Sequence, residues 1–180
     1  MKKFLGLTLM AVAMLGISTV SAQKMARVNM QEIVAAMPEY AEAQKNLELF
    51  GKDLQEQMEQ IQVEFNNKYA DFEKNQATMA ASVKQMKQQE LQQLQQRFAE
   101  FQQIAQQDFQ KKEAELSEPV YKKAQDAINK VAKAGGYLAV FNTAVPSLIY
   151  FDEAQLVDIA PLVRKELGIV ETPAATPAKK

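Results

Sequence analysis

Cysteine, histidine and tryptophan are all absent from this 180-residue sequence. Without cysteine the chain forms no disulfide. Without cysteine or histidine it also lacks the commonest nucleophiles, acid–base groups and metal ligands of enzymes. Small exported domains often depend on disulfides, so stability here must come from a core, from coiled-coil packing or from association of chains. We therefore expect no enzyme activity, no cofactor and no metal site.

Long apolar runs are scarce, and the one clear run lies at the amino terminus. Lys2 and Lys3 precede about 14 mainly apolar residues (4–17), which are too few to cross a bilayer comfortably. Val20-Ser21-Ala22 then places small residues where a signal peptidase prefers them. The sequence predicts a signal peptide over residues 1–22, cleaved at its end, and a periplasmic location. A retained amino-terminal anchor is the alternative.

A strong charge of either sign is missing as well. The formal net charge is −1, and removal of Lys2 and Lys3 makes it −3. We expect no nucleic-acid partner, because the sequence shows no basic patch. The Gly51-Lys52 pair is not a nucleotide-binding motif, since Asn46 and Asp53 stand where that motif needs glycine and a hydroxyl residue.

Glycine and proline, at six residues each, are rarest in the middle of the chain. Residues 39–134 contain only Gly51 and Pro119, which predicts long helix that ends at Gly135-Gly136. One such helix would extend ~140 Å, and its apolar frame breaks near the middle, so we predict a hairpin with its tip near residues 75–83. We expect Pro119 to kink or restart the returning helix. Gly51 is a hinge, a point of close helix approach, or a glycine that the helix simply tolerates.

Apolar residues in this segment recur with the seven-residue spacing of a coiled coil. The first arm carries two such series, and the second of them turns polar at Lys68, Asn75 and Ser82. Ser82 and Gln85 match a capping box at the start of the returning helix. The series are Met58, Phe65, Phe72, Met79 and Met86; Leu47, Leu54 and Ile61; and, on the return, Leu91 with Phe98 and Leu94 with Phe101. The returning seam continues through Ala105 and Asp108, and Phe109 and Leu116 take it up in a shifted frame.

The two ends of the hairpin carry short strand-like segments. We predict a strand at residues 25–30, a short helix at 31–37, two strands at 137–141 and 148–151 joined by a turn, and a short helix at 158–167. The Pro/Ala/Thr-rich residues 171–180 are expected to form a disordered tail. Because so few strands cannot bury their own faces, we expect several chains to pool their strands into one sheet or barrel.

These segments resemble the Skp/OmpH family of periplasmic chaperones over nearly the whole chain after the signal. The resemblance rests on Arg27-Val-Asn-Met30, on Glu115-Leu-Ser-Glu-Pro119-Val-Tyr with Ala127-Ile-Asn-Lys-Val-Ala132 and Gly136-Tyr-Leu-Ala-Val140, and on Leu148-Ile-Tyr-Phe151 with Val157-Asp-Ile159. It implies an α+β, mainly α fold, in which a homotrimer forms a small β-barrel body with three projecting coiled-coil hairpins. Residues 23–38 and 135–170 would form the body, and residues 39–134 the hairpin.

The resemblance also implies an activity, which is ATP-independent holding of unfolded outer-membrane β-barrel proteins between the hairpins. The family's best-known member is strongly basic, whereas the charges of residues 60–95 cancel, so contact with membrane or lipopolysaccharide is left open. A structural coiled-coil spacer or scaffold of the cell envelope is the alternative function. The apolar seam of such a spacer would not need to become more polar towards the hairpin tip, as the seam of this chain does.

Two groups of residues follow as candidates. Glutamine gives a hydrated helical background, and scattered Phe and Met side chains give adaptable contacts to many partners. Packing against the partner helix is the alternative reading of every such residue. The client-binding candidates are Met58, Phe65, Phe72, Met79, Met86, Phe98, Phe101 and Phe109. The candidates for the trimer body are Val28, Met30, Leu138, Val140, Phe141, Leu148, Ile149, Tyr150 and Phe151.

Overall fold

A computed structural model describes residues 24–145, 150–152 and 155–169. The predicted signal peptide and tail, and two body candidates, Leu148 and Ile149, lie outside the described residues. The described elements form a mainly helical chain with a small sheet, as the predicted fold class requires. They are β1 (Lys24–Val28), α1 (Met30–Ala35), α2 (Pro38–Asn75), α3 (Ala81–Gly135), β2 (Tyr137–Asn142), β3 (Leu156–Asp158) and α4 (Ala160–Glu166).

Helices α2 and α3 are the two arms of a hairpin. Pro38 occupies the first turn of α2, where its missing N–H is not needed, and Met37 before it is extended. Residues 76–80 join the arms, and both the backbone N–H and the hydroxyl of Thr78 donate to the carbonyl of Asn75. This turn makes Ala80 the residue that precedes α3. The capping role predicted for Ser82 is therefore wrong, because the helix has already begun when the chain reaches it.

Helix α3 is continuous from its first residue to its last, with Pro119 inside it. The predicted restart of the helix at Pro119 therefore does not occur. The hydroxyl of Ser117 donates to the carbonyl of Glu113 within the same stretch. The helix ends where Gly136 adopts φ 67°, and a Cβ on Gly135 would collide with the ring of Tyr137.

The sheet has the order β2-β1-β3, and both pairings are parallel. The first strand of the described chain is thus the central one, flanked by two strands that follow the hairpin. The predicted strand at 148–151 is not found at Tyr150 and Phe151, which lie outside any strand. The third strand of the sheet is instead β3, which lies at the edge opposite β2 and pairs in parallel with β1.

The start of the last helix also differs from the prediction. Asp158 is the final residue of β3, and α4 begins at Ala160. The carboxylate of Asp158 accepts a hydrogen bond from the backbone N–H of Ala160 at 2.9 Å. Its side chain therefore supports the turn between strand and helix. Pro161 still falls in the first turn of the helix, where proline is tolerated.

The core lies at the root of the hairpin, in a region we call the base. The base comprises the sheet, α1, α4, residues 38–43 of α2, residues 116–135 of α3 and the described residues that lie between these elements, among them Tyr150 and Ile159. The shaft is the remainder of the two arms, residues 44–115 without the tip at 76–80. Apolar side chains from every layer of the base meet in one cluster. Its most deeply buried members include Ala26, Ile33, Val34, Ala124, Ile159 and Val163.

Candidate functional site

The shaft is held by a narrow apolar seam, and the predicted client-binding residues are spread across its edges. Leu47, Ile61, Phe72, Leu94 and Ala105 are buried between the arms. Phe72 is thus the one client-binding candidate that lies fully in the seam. Met86 is the most exposed candidate, at 58 %. The other six, which are Met58, Phe65, Met79, Phe98, Phe101 and Phe109, are half-buried.

The returning seam shifts frame at Phe109. Asp108, through which the seven-residue spacing would pass, is exposed, whereas Phe109 is half-buried against the opposite arm. The predicted passage through Asp108 is therefore wrong. A charged side chain would lose its hydration in the seam, and the apolar neighbour one residue later takes the place instead.

Gly51 lies where Phe109 crosses α2. A Cβ built on Gly51 would stand 3.1 Å from Cε2 of the Phe109 ring. Helix α2 is continuous through this position. This contact supports the close-approach reading of Gly51, because the missing side chain makes room for the ring. The hinge reading stays a prediction.

Lys68 is the point at which the inner seam turns polar. Its ammonium group is paired with Glu90 across the hairpin and lies 3.8 Å from Glu64 on its own helix. Arg97 approaches Glu64 at 3.7 Å, and Lys87 approaches Glu90 at 3.8 Å. A chain of ion pairs thus joins the two arms where apolar packing weakens.

These ion pairs shift the titration of their members. The hydrogen bond from Lys68 lowers the pKa of Glu90, and the charges of Lys68 and Lys87 add to that effect. The hydrogen bond to Glu90 raises the pKa of Lys68. At the root of the hairpin, the hydrogen bond from Lys123 likewise lowers the pKa of Glu39. Both arms therefore keep these groups charged over a wide pH range.

Several exposed apolar residues of the shaft escaped the sequence analysis. They do not fall in the seven-residue series, which selects side chains that face the other arm. Tyr69 could have been identified from the sequence, because it follows Phe65 by four residues and so lies on the same helix face. In the structure the two rings stack with their centroids 6.0 Å apart. The exposed residues that were missed include Leu49, Val63, Tyr69, Val83 and Ile104.

The candidates for the trimer body divide into buried and exposed groups. Val28 is buried in the base, whereas Leu138 and Tyr150 are 61 % and 84 % exposed. Met30, Val140, Phe141 and Phe151 are half-buried. The guanidinium group of Arg27 stands 5.6 Å from the centroid of the Phe151 ring, which ties that residue to the central strand. The single chain therefore leaves part of the predicted body surface open to solvent.

The described part of the chain lacks two features that would indicate other kinds of site. Over residues 24–145, 150–152 and 155–169, no helix combines the length and apolar character that a membrane crossing needs. Across those same residues, no group of three or more acidic side chains is placed to hold a metal ion.

A known protein family matches almost the whole described part of the chain. The model of the family described as outer membrane protein (OmpH-like) matches residues 24–167. The chain belongs to this OmpH-like family. The OmpH-like match begins at the first residue of β1 and ends one residue beyond α4, so it includes both base and hairpin. The predicted membership of the Skp/OmpH family is thereby confirmed.

Relatives and solved structures agree with the OmpH-like assignment. Chaperone protein Skp of Yersinia enterocolitica is 26% identical over 142 residues, which cover 79% of this chain and 87% of the relative. Chaperone protein Skp of Photorhabdus laumondii is 27% identical over 143 residues, with the same coverage. A crystal structure of an OmpH-like protein from Caulobacter crescentus CB15 has a TM-score of 0.70 at 14% identity, covering 84% of this chain and 88% of that one. This last likeness concerns the fold.

Proposed function

We propose that this protein is an ATP-independent periplasmic holdase that binds unfolded outer-membrane β-barrel proteins and prevents their aggregation. The observation that carries the proposal is the surface of the shaft. Half-buried and exposed apolar side chains, from Met58 to Ile104, are dispersed there among exposed glutamines and charges. The family relatives described as chaperone proteins support the same function.

Such a surface is suited to reversible binding. Burying one large apolar side chain contributes ~1.5 to 3 kcal/mol. Two or three partial contacts therefore hold a client without trapping it. The half-buried Met58 and Met79 add side chains that adapt to many shapes. Since no single site must be filled, the shaft would accept clients of different sequence.

We further propose that three copies join through their bases. Leu138 and Tyr150 would be covered in such an assembly, which removes the two most exposed large apolar side chains of the described base from water. The outer edges of β2 and β3 would gain partners from neighbouring copies, which also satisfies edge strands that are otherwise free to aggregate. The shafts would then project together around a shared cavity, with the hairpin tips remote from the base.

Light scattering tests the proposed function. The full chain is expressed, and the exported protein is purified from the periplasm. A urea-unfolded outer-membrane β-barrel protein is then diluted into buffer with or without it, and no ATP is added. We expect the protein to suppress the rise in scattering. Unchanged scattering from a well-folded protein would overturn the holdase proposal and would favour the envelope spacer instead.

A matched pair of variants connects the effect to the shaft. Tyr69→Gln removes an aromatic side chain that is 48 % exposed on the shaft, and Leu162→Gln removes an apolar one that is 50 % exposed on the base. We expect Tyr69→Gln to raise the concentration needed for half-suppression roughly two- to fivefold, from lost apolar contact. Leu162→Gln should leave it unchanged. Equal effects of the two variants would argue against the shaft as the binding surface.

A further inference from the structure

The two flanks of the shaft differ in charge, and this difference indicates where a client lies. We infer that an extended, uncharged client segment binds along one flank only, the one without ion pairs. The inference rests on the proposed holdase function and specifies the surface that performs it. The partner is defined by its chemistry: an unfolded segment with alternating apolar or aromatic side chains and an unpaired backbone.

One flank is fixed by the ion pairs that join the arms. Those pairs are Lys68 with Glu90, Arg97 with Glu64 and Lys123 with Glu39. In a helix, each residue is turned about 100° from the one before it. When two antiparallel helices face each other across a seam, the residue that follows a seam residue points to the same side of the seam in both helices. The helical positions of all three pairs then fall on one side of the seam, which we call the ion-paired flank.

The neighbours of these residues define the opposite flank. Tyr69 follows Lys68, and Leu91 follows Glu90, so both side chains turn away from the ion pairs. Phe65 stacks on Tyr69 with its ring nearly parallel, at 16°. Phe98 lies two turns beyond Leu91 on the same side, and Gln95 lies between them. We call this surface the neutral flank.

Within residues 62–69 and 91–102 the neutral flank is both accessible and without charge. Tyr69 is 48 % exposed, Gln62 and Gln95 are exposed, and the flanking rings are half-buried. The charged residues of 62–69 and 91–102 are Glu64, Lys68, Arg97 and Glu100. The first three belong to the ion-paired flank. Glu100 is three residues past Arg97, which turns it still farther from the neutral flank.

This charge pattern selects the occupant. A charged client segment on the neutral flank would lose water without gaining a partner, which costs free energy. An uncharged segment loses nothing of that kind, and its apolar side chains contact Leu91, Phe98 and Tyr69. The amide of Gln95 can donate to and accept from an unpaired client backbone, and Gln62, whose Nε2 donates to Asn66 at 3.0 Å, can accept through its amide oxygen. Alternation of apolar and polar residues in outer-membrane strands matches these requirements.

Glutamate substitutions test the inference, because they add charge with almost no change of shape. Gln95→Glu with Gln102→Glu places two charges on the neutral flank. Gln93→Glu with Gln107→Glu adds the same two charges to the same helix, at positions that point away from the neutral flank. All four positions are exposed. In the scattering assay we expect the first variant to need about five- to tenfold more protein for half-suppression, and the second to match the wild type.

The outcomes separate the two proposals. Equal behaviour of both double variants beside an active wild type would overturn the neutral-flank inference and leave the holdase function standing. An inactive wild type would overturn both. Circular dichroism of each variant confirms that helix content is kept, so that a loss of suppression reports on binding.

A photo-crosslinker identifies what occupies the flank. Tyr69 is replaced by p-benzoylphenylalanine, and Val63, exposed on the outer side of α2, receives the same group as a control. We expect client adducts from position 69 at least fivefold above those from position 63. Adducts from position 69 to a second copy alone would show that the neutral flank is an interface between copies, and would overturn the inference.

Discussion

The base and the shaft bury apolar side chains to different depths. In the base, Ile33, Ile159 and Val163 are 0 % exposed, and they meet residues from several layers. In the shaft, even the best-covered apolar residue, Ile61, keeps 5 % of its surface exposed. A two-helix hairpin has no third layer to close over its seam. The difference shows that the base supplies most of the specific packing, while the shaft retains apolar surface that remains available.

The largest effect that would test this difference comes from matched isoleucine truncations. Ile33→Ala in the base should lower the free energy of unfolding by ~2 to 4 kcal/mol, because it leaves a cavity among buried side chains. Ile104→Ala on the shaft, where the side chain is 52 % exposed, should cost less than about 0.5 kcal/mol. Chemical denaturation followed by circular dichroism measures both. Similar costs at the two sites would contradict the comparison.

A smaller effect is expected at Gly51, where the shaft is packed most closely. Gly51→Ala should stabilise the helix by ~1 kcal/mol when Phe109 is also replaced by alanine, because the ring no longer limits the space. With Phe109 present, less than about half of that gain should remain. Ala99→Gly, at an exposed shaft position, calibrates the helix propensity. Equal gains in both backgrounds would contradict the close-approach reading of Gly51.

The smallest effect concerns pH and the ion pairs of the shaft. Because Lys68 lowers the pKa of Glu90 in the folded protein, that carboxylate stabilises the fold above its unfolded pKa. The contribution is lost as pH falls through the lower folded pKa. Thermal melting should therefore show Glu90→Gln roughly 1 to 3 °C below the wild type near pH 7, and the gap should close below about pH 4.

The raised pKa of Lys68 acts at the opposite end of the pH scale. Its stabilising contribution is complete below the unfolded pKa and disappears only as pH rises through the higher folded value, in strongly alkaline solution.

The control for the Glu90→Gln measurement is Glu100→Gln, since it removes an exposed carboxylate outside these ion pairs. A difference in melting temperature between Glu90→Gln and the wild type that persisted below about pH 4 would contradict the role assigned to the Lys68–Glu90 pair.

The long elements were predictable from the sequence, and the small ones were not. The repeated apolar spacing from Leu47 to Phe101 extends over many turns, so it predicts helix by repetition alone. The three-residue strand β3 carries no such repetition, and its place beside β1 depends on contacts across the whole chain. The frame shift at Phe109 was visible in the spacing, but its packing against Gly51 required the relative position of the arms.

The surface was harder to predict than the seam. A heptad pattern identifies residues that face the partner helix, so it led to Phe72, which is buried, and passed over Tyr69 and Ile104, which are exposed. Flank assignment depends on which residues pair across the arms. The partners of Lys68 and Glu64 are 22 and 33 positions away, and only the register of the hairpin brings them together.

The central place of β1 in the sheet has a consequence for the order of folding. Its two neighbours in the sheet, β2 and β3, begin at Tyr137 and Leu156, more than a hundred residues later. A chain that emerges amino terminus first must therefore wait for nearly all of its length before the sheet can close, and such distant pairings form slowly. The hairpin, whose contacts are nearer in sequence, can form earlier. For that interval β1 is itself an unpaired strand, so this protein passes briefly through the kind of state it is proposed to protect in others.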